Sequence, residues 1–218
     1  MLTVACVWIK SDTYDSPEWV YRLHRMVEAN LAQEFEFLVI TSEPIDLMPL
    51  KGSTLSTFYP RIKPPDGWPL WWYKLNLFEV DPMGDRVLYL DLDTVVMGGL
   101  EDLVNYPSDF CMAPTSGVPT KNHDFNSSVV VWTPGCEQHQ IIKKSLPPDW
   151  KRYAGDQQWL SSLKMKIDAF PYRWIHKYLP GKGPYLPPDG TRVALMIQGG
   201  KNQALLDAGH SWIAEYWR

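Results

Sequence analysis

Apolar residues fall along this chain in two alternating patterns, short unbroken runs and helical spacings. Residues 2–9 (LTVACVWI) are continuously apolar and β-branched, as a parallel strand covered on both faces requires. Ser16, Pro17 and Glu18 then offer an N-cap, a first-turn proline and an early acid. Trp19, Val20, Leu23, Met26 and Val27 follow at helical spacing, predicting a helix of about four turns. Residues 37–40 form a second strand that ends in a Thr41-Ser42 turn, so the opening reads strand, helix, strand, the start of an α/β sheet.

Residues 43–68 carry Pro44, Pro49, Pro60, Pro64, Pro65 and Gly67, which predicts a loop with one short strand at 55–58. From 69 to 80 the pattern is helical again, with Trp72, Leu75, Phe78 and Glu79 after a proline start. Residues 86–90 (RVLYL) are a strand, with Asp91 and Asp93 at its C-terminal end. Strands are predicted at 110–113, 127–132 (SSVVVW) and 193–197, and helices at 134–145 and 156–164. Residues 179–190 (LPGKGPYLPPDG) read as a lid or binding loop. The chain closes on Trp212, Tyr216 and Trp217, and contains no internal repeat.

Composition narrows the classes. The chain has 218 residues, 45% of them hydrophobic, enough for one sizeable core and one domain. Its 21 basic and 25 acidic residues give a net charge of −4 without a basic run, which argues against direct nucleic-acid binding. No signal peptide and no stretch of about 20 apolar residues is found, so a cytoplasmic protein without a transmembrane segment is expected. Cys6, Cys111 and Cys136 have neither metal spacing nor an even count, and read as reduced thiols near the core. Eleven Trp and eleven Tyr exceed what core filling usually needs; each either packs the core or offers a flat face to sugars and bases.

Two carboxylates one residue apart, on a turn leaving a buried strand, present hard oxygen ligands for Mg²⁺ or Mn²⁺. With 16 Asp in the chain, chance alone supplies about one Asp-x-Asp triplet, so the spacing decides nothing. The context does: ligands gather beyond the carboxyl ends of strands in open α/β sheets. The competing reading is a pair of solvated turn aspartates.

Residues 86–103 (RVLYLDLDTVVMGGLEDL) resemble the metal-binding segment of the glycogenin-like glycosyltransferases, the family 8 group with its bacterial and phage-type relatives. Three further motifs follow the family order: Trp72-Tyr73-Lys74-Leu75, Phe125-Asn126-Ser127-Ser128 before VVVW, and Gly155-Asp156-Gln157 at a helix start. The resemblance implies a single GT-A domain, with a Rossmann-like mixed central sheet flanked by helices. It implies a nucleotide-binding part over about residues 1–105 and a sugar and acceptor part over about 106–218.

What it implies for function is metal-dependent, retaining transfer of a hexose from a nucleoside diphosphate sugar, a UDP-sugar, to an unidentified carbohydrate or glycoconjugate acceptor. Asp91 would contact both donor ribose and metal, Asp93 would chelate the metal, Mn²⁺ or Mg²⁺, and Lys74 would reach the donor. Asn126, Asp156 and Gln157 would line the transferred sugar, with Asp156 steadying positive charge at the anomeric carbon. Tyr14 would stack on the base, with Val7 and Trp8 lining its pocket. Lys74 as a snorkelling helix lysine and Asp156 as part of a helix cap remain open. The family's third metal ligand, a histidine after the last strand, is Gln198 here, a weaker neutral donor, and Lys201 beside Gly199 and Gly200 would touch the diphosphate. That departure leaves an alternative, a catalytically impaired nucleotide-sugar or carbohydrate-binding module of the same fold. His123 and His176 read as packing or surface residues, and Trp71, Trp72, Trp174 and Tyr185 as either core or an acceptor platform.

Overall fold

Leu2–Trp8 (β1) is buried along almost its whole length, and it pairs in parallel with Phe35–Thr41 (β2) on one side and Arg86–Leu90 (β4) on the other. In the computed structural model, which describes residues 1–43, 53–81, 84–115, 125–178, 186–196 and 211–217, β1 is thereby an interior strand of the main sheet. Ser53–Phe58 (β3) extends the sheet in parallel beyond β2. Beyond β4 the direction reverses: Phe125–Trp132 (β7) is antiparallel to β4, Phe110–Pro114 (β6) is antiparallel to β7, and Asp168–Ala169 (β8) closes the edge. The order β3-β2-β1-β4-β7-β6-β8 is the mixed central sheet predicted from the sequence. A second sheet of three strands, β5 (Thr94–Val96), β10 (Val193–Met196) and β9 (Ile175–Tyr178), stands beside it.

Side chains alternate across the sheet and feed a core on each face. Val4, Cys6 and Trp8 of β1, Leu88 and Leu90 of β4 and Val131 of β7 pack with Val20, Leu23, Met26 and Val27 of the helix Glu18–Asn30 (α1). The helix Ser211–Tyr216 (α5) adds Trp212 and Ile213 to this side, where Trp217 is buried too. On the opposite face Ala5, Val87, Tyr89, Val130 and Trp132 meet Trp72, Leu75 and Phe78, with Ile142 of Glu137–Lys144 (α3) and Trp159 and Leu160 of Asp156–Ser162 (α4). All three cysteines are free thiols, two buried and Cys136 half-buried.

Two local expectations are corrected. Ser16 does not cap α1; Pro17 takes the N-cap position without a side-chain bond, and its carbonyl accepts the N–H of Val20 and Tyr21. Residues 69–80 hold a ten-residue 3₁₀ helix, Leu70–Glu79, rather than an α-helix. Its buried residues Trp72, Leu75 and Phe78 recur every three residues, the period of a 3₁₀ turn, where i and i+3 eclipse, and Asn76 and Leu77 are buried beside them. Asn76 ties the preceding loop to this helix: its Oδ1 accepts from Ile62 N (2.8 Å) while Nδ2 donates to Ile62 O (2.7 Å) and Tyr73 O (3.1 Å). The short helix Glu101–Val104 (α2) and strands β5, β8 and β9 lacked a sequence signal. The Pro/Gly segment at 179–190 is described only from residue 186, and residues 44–52 of the earlier loop lie outside the described residues. No helix among the described residues is long and apolar enough to cross a membrane.

His139 of α3 is buried with both ring nitrogens used, Nδ1 accepting from Gly135 N (2.8 Å) and Nε2 facing Phe78 O (3.2 Å). Burial holds its imidazole below the ordinary value of 6.5, with Lys143 adding to the effect. The unfolded chain therefore takes up a proton before the folded one does. Stability from this residue is complete above about pH 6.5 and is lost as the pH falls below it. Denaturant unfolding from pH 8 to 5.5 should show this slope, and His139→Gln should flatten it by up to one proton, a comparison in which every other titrating group cancels.

Candidate active site

The carboxyl ends of β1 and β4 emerge side by side where the strand order turns from β1 towards β2 on one side and β4 on the other. This is the switch point at which open α/β sheets form crevices. A cavity of about 850 Å³ opens there. Val7, Ile9 and Tyr14 reach it from β1 and the loop that follows, Trp71 and Lys74 from the 3₁₀ helix, and Asp91 and Asp93 from the end of β4. Asn126 and Ser128 come from β7, Asp156 and Gln157 from α4, and Leu195 and Met196 from β10.

Local structure aims each of these groups. The Asp91 N–H donates to Ser128 O (2.9 Å), and its carbonyl accepts from both the N–H (3.2 Å) and the hydroxyl (2.7 Å) of Thr94. That turn moves the chain from the large sheet into β5 of the small one, leaving Asp91 and Asp93 between the sheets. On β7 the pairing with β6 jumps from Met112↔Val130 to Ala113↔Asn126, a bulge that swings residues 126–128 towards the cavity. Asn126 Oδ1 secures it by accepting Ser128 N–H (2.8 Å).

Lys74 organises the charges. Its ammonium lies 2.9 Å from Asp91 Oδ1 and 3.0 Å from Oδ2, and 3.3 Å from Ser127 Oγ, with the Tyr89 ring 5.6 Å away. Its side chain is 11% exposed and that of Asp91 18%, so this is an enclosed ion pair and not a snorkelling lysine. Burial alone would depress the Lys74 ammonium, but Asp91, Asp156 and Asp93 together hold it above its ordinary value. The Tyr89 hydroxyl donates to Asp91 Oδ1.

Three carboxylates face this one cation. Burial first, then the charge of Asp91, lifts Asp93 to about 7, against the opposing pull of Lys74 and a hydrogen bond from Tyr14. Asp156 is also raised by burial, with Lys74 and a Ser127 hydrogen bond pulling it back. Asp156 is the first residue of α4, with Gly155 at the N-cap position making no side-chain cap; it is 3% exposed, and its Oδ2 has no hydrogen-bond partner among the described residues. Asp156 thus sits in the cavity wall rather than acting as a helix cap.

Most residues singled out from the sequence converge here: Val7, Tyr14, Lys74, Asp91, Asp93, Asn126, Asp156 and Gln157 all line the one cavity. Trp8 does not. Adjacent strand residues face opposite sides, so Trp8 lies in the core, where its Nε1 donates to Tyr14 O (3.1 Å) and braces the loop. Tyr14 packs edge-on against Trp19, 5.1 Å between centroids, with its hydroxyl turned to Asp93. His176 is on β9, away from the cavity lining. Gln198, Lys201, Tyr185 and His123 lie outside the described residues. Sequence reasoning missed Ser127 and Ser128 as site residues; they carry no side-chain signal beyond the motif, because the bulge that presents them is invisible in one strand alone.

No family model and no curated protein matches this sequence. Solved structures do. The chain is similar to the galactosyltransferase LgtC in complex with donor and acceptor sugar analogues, with a TM-score of 0.70 at 16% identity over 98% of this chain and 94% of that one. It is similar to an active-site mutant of LgtC (TM-score 0.64, 16% identity, the same coverage). It is also similar to the glycosyltransferase GlyE of Streptococcus pneumoniae TIGR4 (TM-score 0.54, 14% identity), covering 79% of this chain and 45% of that one. The chain has the GT-A fold of these glycosyltransferases.

Replacing Lys74 by Met should leave the buried carboxylates uncompensated and cost about 3–5 kcal/mol at pH 8, the usual cost of breaking an enclosed pair. The loss should shrink as the pH falls through 7 and Asp93 takes up its proton, and Lys74→Met/Asp91→Asn should recover part of it. Denaturant unfolding of the three proteins at pH 8 and 6 checks this; a loss unchanged between the two pH values would contradict it.

Proposed function

We propose that this chain is a metal-dependent, retaining hexosyltransferase that moves a hexose from a UDP-sugar to a carbohydrate or glycoconjugate acceptor. One observation carries the reading: Lys74, Asp91, Asp93 and Asp156 converge in a single crevice at the switch point of a GT-A fold. Residues 1–105 supply Val7, Tyr14, Lys74, Asp91 and Asp93 to a nucleotide half. Residues 106–218 supply Asn126, Asp156 and Gln157 to a sugar and acceptor half. The similar galactosyltransferase is seen with donor and acceptor sugar analogues, which supports a site that takes both.

A divalent cation fits these residues. The cluster holds three carboxylates against one ammonium, Asp93 is driven towards protonation by burial and then by the charge of Asp91, and Asp156 keeps a buried oxygen without a partner among the described residues. Asp91 and Asp93 would hold Mn²⁺ or Mg²⁺, with Gln198 as the further donor. Among the described residues no third His, Cys, Asp or Glu joins a metal-binding group. Bound there, the cation supplies charge neutralisation to the departing diphosphate.

The chain's own groups do the rest. Lys74, fixed by Asp91 and Ser127, offers a second positive charge that needs no reorientation as negative charge develops on the leaving group. Lys201 adds a phosphate contact. Val7 and Tyr14 border the base, and Asn126 and Gln157 present amide groups to the sugar hydroxyls. Asp156, kept ionisable by Lys74 and Ser127, stabilises positive charge at the anomeric carbon as the bond to phosphate breaks.

Incubation with UDP-galactose or UDP-glucose and Mn²⁺ should release UDP, chelation should stop the release, and added Mn²⁺ should restore it. Asp93→Asn should lower turnover about 100-fold or more, as removal of one preorganised electrostatic group does elsewhere. The reading fails if there is no turnover and no UDP binding at millimolar ligand.

A further inference from the structure

Beside its charged wall the cavity has an aromatic one. Trp71 is 48% exposed, and it lines the cavity next to Leu70, Ala154 and Gly155. The 3₁₀ register explains how it stays there. With i and i+3 eclipsed, Trp71 falls in line with Lys74 on the cavity edge, while Trp72 and residues 75–78 are buried. Trp68, Trp72 and Trp150 are used up on one another, with centroids 5.1–6.4 Å apart. Among the described residues no ring packs on Trp71.

The indole is nevertheless seated. A Cβ added at Gly155 would come within 3.1 Å of Trp71 Nε1, and the indole supplies the nearest atoms around that position. Trp71 therefore rests against bare backbone immediately before Asp156, and a side chain at 155 would push it away. The result is a flat apolar surface, seated on the backbone next to Asp156, in a cavity that Asn126, Gln157 and Gln158 also line. A flat indole face with amide donors and acceptors around it suits a pyranose, whose ring has one C–H-rich face and a girdle of hydroxyls.

We infer that Trp71 is the stacking floor of a hexopyranose subsite and a specificity-determining residue of this site. The inference rests on the proposed glycosyl transfer for the identity of the ring as a hexose. The ring comes either from the donor, as the hexosyl group of the UDP-sugar, or from the acceptor, as its terminal sugar; both present the same C–H face.

Two measurements on the full chain test this with wild type, Trp71→Ala and Trp71→Phe. Calorimetry with Mn²⁺ compares UDP with UDP-galactose. Saturation-transfer NMR follows methyl β-D-galactopyranoside and methyl β-D-glucopyranoside, with sorbitol as an open-chain control. Trp71→Ala should weaken ring binding about tenfold, within the range of one aromatic stack, with UDP affinity unchanged, and Trp71→Phe should keep most of it. Loss confined to UDP-galactose identifies the donor ring, and loss confined to the methyl glycosides identifies the acceptor ring. Equal binding of every ring compound by Trp71→Ala and wild type would overturn the inference, as would sorbitol binding as well as the glycosides. A wild type that binds no UDP would instead sink the proposed function, and the glycoside measurement would still decide Trp71.

Discussion

Lys74 stands among three carboxylates in the wall of the crevice, and the rest of the site is arranged around that imbalance. One ammonium neutralises one aspartate, Asp91, through close contacts to both of its oxygens. Asp93 and Asp156 remain, both pushed towards their protonated forms by burial. A folded protein ordinarily avoids such a deficit, because uncompensated buried charge costs several kcal/mol. Keeping it makes sense where a cationic ligand completes the set, as the proposed metal-borne diphosphate would.

The scaffold delivers these four groups from three elements, the 3₁₀ helix, the turn after β4 and the start of α4. Parallel pairing of β1 with both neighbours brings two strand ends to one edge, the antiparallel β7 crosses beside them, and its bulge presents residues 126–128. The 3₁₀ helix does two jobs with one register. Trp72, Leu75, Leu77 and Phe78 enter the core, and Trp71 and Lys74 line the cavity. In a regular α-helix each i, i+3 line would wind about the axis by roughly 60° every three residues instead of running straight.

Much of this was legible in the sequence. The runs at 2–9 and 86–90 could only be buried strands, and the Asp91–Asp93 turn had to follow the second of them. The motifs around Lys74, Asn126 and Asp156 indicated which other elements would meet it. The misses have physical causes. Trp72, Leu75 and Phe78 are spaced by three, which satisfies a 3₁₀ turn and an amphipathic α-helix alike over so short a segment. Strands of two to four residues such as β5, β8 and β9 carry too few positions for a period, and tertiary pairing alone defines them. Val7 and Trp8 look equivalent as letters, but alternation sends one to the cavity and the other to the core. Trp71 and Trp72 are equally ambiguous until the helical register separates them.

The most direct test of this account is a crystal structure with UDP and Mn²⁺ bound. It predicts an anomalous manganese peak within coordination distance of the Asp91 and Asp93 carboxylates, with the uracil beside Val7 and Tyr14 and the diphosphate near Lys74. UDP bound elsewhere on the molecule, or bound in the crevice of a manganese-containing crystal with no peak at the two aspartates, would contradict it.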